Sequence, residues 1–233
     1  MAVLQAIGLG KQYNGIAALT DLNLSVQRGE IFCLLGQNGA GKSTTINLFL
    51  GFTEPTSGMV MVNGEEVKPS GKNTRSALAY IPEVVQLYGN LSGVENLDFF
   101  SRIAGFTYSK DSLRQFLLRA GLQEEAHQRK LGGYSKGMRQ KVGIAIALSK
   151  NASAILMDEP TSGLDPRATA GFTEICKSLA KEGRTIFMAT HDIFNAVNVG
   201  ARIGIMRKGA LVHTVDNGNL TANELQELYL ETI

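Results

Sequence analysis

No apolar run in this 233-residue sequence is long enough to span a membrane. The longest, Val142 to Leu148, falls far short of the ~20 residues that a transmembrane helix needs. The first residues also lack the charged and apolar regions of a secretory signal. We therefore expect the chain to stay in the cytosol and to act at a membrane only through a partner.

Cysteine and excess charge are both scarce. Cys33 and Cys176 lie in different apolar segments without metal-ligand spacing, which predicts reduced, buried packing residues and leaves a disulfide as the minor alternative. The formal net charge is only +2, and no run of Lys and Arg alternates with aromatic residues. Nucleic acid is therefore not an expected partner.

Short apolar segments bounded by turn residues predict a mixed sheet covered by helices. The segment Ile31 to Leu35 is apolar throughout, as in a strand buried on both faces, and a glycine-rich loop joins it to a helix predicted over Ser43 to Leu50. The other strand candidates are Val3 to Leu9, Leu19 to Val26, Met59 to Val62, Ala77 to Ile81, Ala154 to Met157, Thr185 to Ala189, Ile203 to Met206 and Leu211 to Val215.

The stretch from about 92 to 148 lacks such strands and has apolar residues at helical spacing. The stripes are Leu97, Phe100, Ile103 and Ala104, then Leu113, Phe116, Leu117 and Ala120. They predict a helical lobe inserted into the sheet. A last, short amphipathic helix is predicted over Asn223 to Leu230.

The turn between the apolar strand and its helix matches the phosphate-binding pattern G-x-x-x-x-G-K-[ST]. The residues expected to bind nucleotide here are Gly36, Gln37, Asn38, Gly39, Ala40, Gly41, Lys42, Ser43 and Thr44. Glycines let backbone N–H groups turn toward an anion at the positive end of a helix. We expect Lys42 to reach the β- and γ-phosphates and Ser43 to ligate Mg²⁺. The motif alone fits kinases, GTPases and motors equally well.

Two adjacent carboxylates, Asp158 and Glu159, follow the apolar strand at Ala154 to Met157. Both can face the nucleotide because the chain is leaving the sheet at this point. Asp158 is expected to hold Mg²⁺, and Glu159 to polarise the attacking water as general base. Taken alone, the pair would fit a solvated acidic turn equally well.

With these motifs, the sequence resembles the ATP-binding cassette (ABC) family. The segment Tyr134 to Lys141 is similar to the family's signature, with Ser135 and Gly137 in the expected places. In the family, the signature of one subunit closes over the γ-phosphate held by another, so the resemblance implies that these two residues bind a partner's ATP. The segment Ser162 to Asp165 resembles the loop that communicates across the dimer.

Two further positions fit the family's order, and a third departs from it. His191 resembles the switch histidine that senses the γ-phosphate, and Tyr13 resembles the aromatic residue that stacks on adenine. Glu83 stands where the family usually has a glutamine; a carboxylate can still ligate Mg²⁺ but adds negative charge beside the γ-phosphate. The expected catalytic residues are Lys42, Glu159 and His191. The expected metal ligands are Ser43, Asp158 and Glu83.

The resemblance covers essentially the whole chain. It implies one α/β domain of 1–233: a P-loop NTPase (RecA-like) core with an antiparallel β subdomain over about 1–85 and 151–233, and an inserted helical subdomain over about 86–150. Lys136 and Met138 replace a commoner glycine and glutamine. Together with Glu83 they resemble the ABC-2 type exporter ATPases, while importer cassettes remain an alternative.

The implied function is binding of ATP, with Mg²⁺, that closes a dimer of two cassettes on the cytoplasmic face of the plasma membrane, and hydrolysis of the ATP that opens it; a homodimer is expected. An integral membrane permease would be the second partner, docked on the helical lobe after Glu83, including Leu87 to Gly89 and Val94 to Leu97. One rival is a soluble ABC ATPase acting on ribosomes or DNA, which the single cassette and compact insertion disfavour. A small-molecule kinase would leave the signature, Asp165 and His191 unexplained.

Overall fold

The computed structural model describes residues 1–69, 71–218 and 220–232. Its strands are β1 (Ala2–Tyr13), β2 (Ile16–Gln27), β3 (Ile31–Gly36), β4 (Ser57–Val62), β5 (Glu65–Glu66), β6 (Leu78–Ile81), β7 (Ala154–Asp158), β8 (Thr185–Thr190), β9 (Arg202–Arg207) and β10 (Ala210–Asp216). Its α-helices are α1 (Lys42–Phe49), α2 (Lys72–Ser76), α3 (Gly93–Ile103), α4 (Lys110–Arg119), α5 (Lys136–Ser149), α6 (Pro166–Lys181), α7 (Ile193–Val199) and α8 (Ala222–Thr232).

A six-stranded sheet in the order β10-β9-β3-β8-β7-β6 forms the centre of the core. Strands β6, β7, β8, β3 and β9 are parallel neighbours, and β10 pairs antiparallel with β9. Every residue of β3 and β8 is buried, as their continuous apolar sequences require. Because parallel strands end at one edge, the residues after β3, β6, β7 and β8 are brought together there.

A second, antiparallel sheet has the order β2-β1-β4-β5. Helix α1 packs beside it, and buried Ile46 and Phe49 of this helix belong to one apolar cluster with Phe32 of β3 and Leu4 of β1. The predicted fold class, an α/β core with an antiparallel β subdomain and an inserted helical subdomain, is confirmed. The predicted tail helix is also present as α8, with Leu225 and Tyr229 buried.

Helices α3, α4 and α5 form the helical lobe between β6 and β7. The apolar stripe predicted for α3 is buried only in part. The buried face contains Val94, Leu97 and Ser101, whereas Ile103 is 67% exposed. Helix α3 packs this buried face against α4 and α5. The predicted docking of Val94 to Leu97 on a permease was therefore wrong for all but the exposed Glu95.

Both cysteines are buried free thiols, as the sequence predicted. Burial raises the pKa of Cys33 to about 12 and also raises that of Cys176. A thiol that resists ionisation is a poor nucleophile, so these residues serve packing. Within the described part of the chain, none of the helices combines the length and the apolar character of a membrane span.

Candidate active site

The loop between β3 and α1 needs its glycines because the backbone is strained and crowded. Gly41 has a φ of 107° at the N-cap of α1. A Cβ on Gly41 would lie 2.7 Å from the Ala18 carbonyl, and one on Gly36 would lie 2.9 Å from the Met206 carbonyl. No side chain caps α1, so its first N–H groups remain available to an anion.

Lys42 is held at the centre of the site. Its side chain is 6% exposed, and Nζ donates hydrogen bonds to the carbonyls of Gly36 at 2.7 Å and Gln37 at 3.2 Å. The same nitrogen lies 3.5 Å from Oε1 of Glu159. The end of β7 and the loop that follows β3 are thus joined by the Lys42 side chain.

Glu159 is fixed by both its backbone and its carboxylate. It has a φ of 44°, a left-handed conformation that costs a residue with a side chain about 1–3 kcal/mol and therefore needs surrounding contacts. Its N–H donates to the Ala189 carbonyl at 2.9 Å. Its Oε2 lies 2.9 Å from Nδ1 of His191 and accepts from the His191 N–H at 3.3 Å. The carboxylate is 14% exposed and the histidine 58%, so the pair reaches from the interior to the surface.

Asp158 lies beside Ser43 and among other charges. Burial raises the pKa of Asp158; the Ser43 side-chain hydrogen bond and Lys42 lower it, whereas Glu159 and Glu83 raise it further. The Ser43 hydroxyl and the Asp158 carboxylate are oxygen donors of the kind that Mg²⁺ prefers. Across the described ranges, no cluster of three or more His, Cys, Asp and Glu converges as a cage. Mg²⁺ needs none, since it binds through one or two carboxylates and the substrate's phosphates.

A single cleft unites most of the predicted residues. It is lined by Gln37, Asn38, Gly39, Gly41, Lys42, Ser43, Thr44, Glu83, Asp158 and Glu159, together with Ala18. Ala18 belongs to no sequence motif, and it lines the cleft only because β2 places it beside Gly41. His191 lines an adjoining depression that also contains Glu159 and Ser162.

A turn that carries no motif packs against the other side of the phosphate loop. A second depression there is lined by residues 37–40 and by Met206 to Lys208. The N–H of Gly209 donates to the Ala40 carbonyl at 3.0 Å, and the N–H of Thr20 donates to the Gly209 carbonyl at 2.9 Å. The β9–β10 turn therefore holds the phosphate loop through a backbone hydrogen bond on the side away from the cleft.

Tyr13, Ser135 and Gly137 are predicted site residues that lie outside both the cleft and the phosphate loop beside it. The Tyr13 ring is 44% exposed at the end of β1, with Lys11 Nζ 4.9 Å from its centroid. Ser135 caps α5, accepting a hydrogen bond from the Met138 N–H at 3.3 Å. Gly137 lies where a Cβ would be 3.6 Å from Leu164. Their roles in binding adenine or a partner's ATP remain predictions.

Residues of two other parts of the chain form hydrogen bonds and an ion pair with Glu83. The Ser162 hydroxyl donates to its Oε1 at 2.9 Å, and Nζ of Lys136 lies 3.8 Å from the same oxygen. The Gln140 side chain donates to the Glu83 carbonyl at 3.1 Å. The loop after β6, the start of α5 and the loop after β7 therefore meet at this residue.

Comparison with known proteins gives matches along nearly the whole chain. The family described as ABC transporter matches residues 19–162. The bacitracin transport ATP-binding protein BcrA of Bacillus licheniformis is 35% identical over 214 residues, which cover 91% of this chain and 69% of that protein. The Nod factor export ATP-binding protein I of Cupriavidus pinatubonensis is 37% identical over 191 residues, covering 82% of this chain and 59% of that protein.

Among solved structures, one is a dimeric ATP-binding cassette in a post-hydrolysis state, bound to ADP and phosphate. It superposes with a TM-score of 0.82 at 25% sequence identity, covering 93% of this chain and 100% of that one.

Proposed function

This chain belongs to the ABC transporter family as an ATP-binding and ATP-hydrolysing cassette, and we propose that it powers export through a separate membrane subunit. The observation that carries the proposal is the convergence of Lys42, Glu159 and His191 at the edge where β3, β7 and β8 end. Phosphoryl transfer relies on positioning and charge, and this edge supplies both.

Each of these residues has a distinct task. Lys42, released from the loop carbonyls, pairs with the β- and γ-phosphates of ATP. Glu159, held by its backbone and by His191, accepts a proton from the attacking water. His191 is the most exposed of the three and reports on the γ-phosphate through its contact with Glu159.

Ser43, Asp158 and Glu83 are the residues that would hold Mg²⁺. The ion supplies neutralisation of the charge that develops on the phosphate oxygens. Burial is the main cause of the raised pKa of Asp158, and the neighbouring Glu159 and Glu83 raise it further; a cation bound here would relieve both effects.

Two copies of this chain assemble head to tail around two ATP molecules. Ser135 and Gly137 of one copy close over the γ-phosphate bound by the other, with Tyr13 stacked on adenine. The dimeric cassette with 25% identity supports this arrangement. So does the position of Ser135 and Gly137 outside their own cleft, at the N-terminus of the 14-residue helix α5, which favours an anion.

Export is supported by the relatives, one of which is a Nod factor export protein. The permease would dock on the helical lobe, which we place at about 86–150. Tyr88, Phe99 and Ile103 are exposed apolar residues there, with exposed fractions of 48%, 38% and 67%. The rings of Tyr88 and Phe99 are 5.0 Å apart, and Ile103 lies one helical turn after Phe99 on α3. We call these three residues the docking patch. Exposed apolar groups of this kind mark interaction surfaces.

A pull-down of the tagged chain from gently solubilised membranes tests the proposal, with mass spectrometry to identify the proteins retained. We expect one polytopic membrane protein in stoichiometric amount. Recovery of ribosomes or DNA-repair proteins in its place would move the chain to the soluble class of ABC ATPases. An accompanying substrate-binding protein would indicate an importer.

A further inference from the structure

The cleft contains more negative charge than its own cation can balance. Glu83, Asp158 and Glu159 line it, and Lys42 is the lysine among its lining residues. ATP adds further negative charge, so any group that neutralises Glu83 favours nucleotide binding.

Lys136 is the cation that approaches Glu83 from outside the cleft. Its Nζ lies 3.8 Å from Oε1 of Glu83, the oxygen that also accepts the Ser162 hydroxyl at 2.9 Å. The side chains of Lys136 and Glu83 are 33% and 51% exposed, so the ion pair is partly screened by solvent. A pair of this exposure has a modest strength.

The same helix holds the backbone of the Glu83 loop. One turn after Lys136, buried Gln140 donates to the Glu83 carbonyl at 3.1 Å. Further along α5, a Cβ on Gly143 would lie 3.5 Å from Val85. Three successive turns of α5 therefore contact this loop, and Lys136 is the one that contacts the carboxylate.

We propose that Lys136 is a positioning residue, which neutralises the Glu83 carboxylate and holds it against Ser162 so that ATP binds beside it without repulsion. The inference rests on the proposed function, since ATP is the ligand in question.

Equilibrium binding of the fluorescent ATP analogue mant-ATP to the full-length chain tests this role without relying on turnover. We expect Lys136→Met to weaken binding about two- to fivefold, the range for a partly exposed ion pair. Lys136→Arg retains the charge and should bind as the wild type does. Lys177→Met removes the lysine of a comparable surface pair, 3.3 Å from Glu174, and serves as the matched control.

The decisive variant is Glu83→Gln in the Lys136→Met background. If Lys136 acts through Glu83, removing the carboxylate's charge abolishes the defect, and the double variant binds no more weakly than Glu83→Gln alone. Wild-type affinity in Lys136→Met would overturn the proposal. An equal loss with and without Glu83→Gln would also overturn it, because Lys136 would then act on the nucleotide directly. If the wild-type chain binds no mant-ATP, the proposed function itself fails, which is a separate result.

Discussion

The carboxyl edge of the six-stranded sheet and the surface of the helical lobe differ in how they hold functional side chains. At the sheet edge, Lys42 and Glu159 are 6% and 14% exposed and are paired with each other. On the helical lobe, Tyr88 and Ile103 are 48% and 67% exposed and project from the surface. A preorganised, partly dehydrated edge suits chemistry, whereas an exposed apolar surface suits docking.

The largest expected effect tests the chemical role of the edge. Glu159→Gln removes the proposed general base while keeping the shape of the side chain, so turnover of ATP should fall by about 10²- to 10⁴-fold. Binding of mant-ATP should be retained, because Lys42 and the loop are unchanged. Steady-state phosphate release measures the first quantity and fluorescence titration the second. Hydrolysis at the wild-type rate would remove Glu159 from the mechanism.

The second effect tests the packing that supports the edge. Phe187 of β8 is fully buried. Its ring is stacked on that of Phe32, with 5.8 Å between the ring centroids, and tilted against that of Phe49, with 5.7 Å between the centroids. Phe187→Ala should lower the free energy of unfolding by about 3–5 kcal/mol. The matched control is Phe99→Ala on the helical lobe, where the ring is 38% exposed and the loss should be much smaller. Urea denaturation measures both, and equal losses would contradict the contrast between the regions.

The third effect tests docking on the helical lobe. Ile103→Ala combined with Tyr88→Ala should weaken retention of the membrane partner about tenfold or more, because buried apolar anchors contribute most of the energy of an interface. The ATPase rate of the isolated chain should not change. Ile16→Ala is the matched control, since this isoleucine is 74% exposed on β2 in the other sheet. An equal loss of partner with Ile16→Ala would remove the special role of the patch.

The smallest effect concerns the start of α3. Ser92 and Glu95 form a reciprocal capping box, with the Ser92 hydroxyl accepting from the Glu95 N–H and the Ser92 N–H donating to the Glu95 carboxylate at 2.7 Å. Ser92→Ala should cost about 1 kcal/mol of unfolding free energy. Ser178→Ala, at an exposed position inside α6, should cost less and provides the control.

The capping box also gives a pH dependence with a definite sign. The backbone hydrogen bond from Ser92 lowers the pKa of Glu95 below its ordinary value. The stabilisation is therefore present above the unfolded-state pKa and is lost as pH falls through the lowered, folded-state pKa. Glu95→Gln should reduce this acid-dependent loss of stability. Melting curves between neutral and acid pH measure it, and identical slopes in both proteins would contradict the assignment.

The sequence predicted most of the sheet edge because its signals are local. Continuous apolar runs mark β3, β7 and β8, and the loop pattern places Lys42 and Ser43 directly after β3. The backbone glycines were also predictable, since Gly41 adopts a φ that other residues avoid.

The packing of the helical lobe and the contacts of Glu83 were less predictable because they join residues that are far apart in sequence. Apolar spacing predicted α3 but placed Ile103 on the wrong face, since tertiary packing selects which stripe is buried. Lys136 and Glu83 are 53 positions apart in sequence and meet only through the fold. No local motif indicates that Ala18 or the β9–β10 turn supports the phosphate loop.

The most direct test of the account is the mass of the Glu159→Gln chain in solution, measured by light scattering with and without ATP and Mg²⁺. Two cassettes that close on ATP should give a monomer without nucleotide and a stable dimer with it, because the variant binds ATP but does not hydrolyse it. Ser135→Arg places a bulky side chain at the start of α5 and should prevent the dimer. A chain that binds ATP and stays a monomer would contradict the closure of Ser135 and Gly137 of one copy over the nucleotide at the sheet edge of the other.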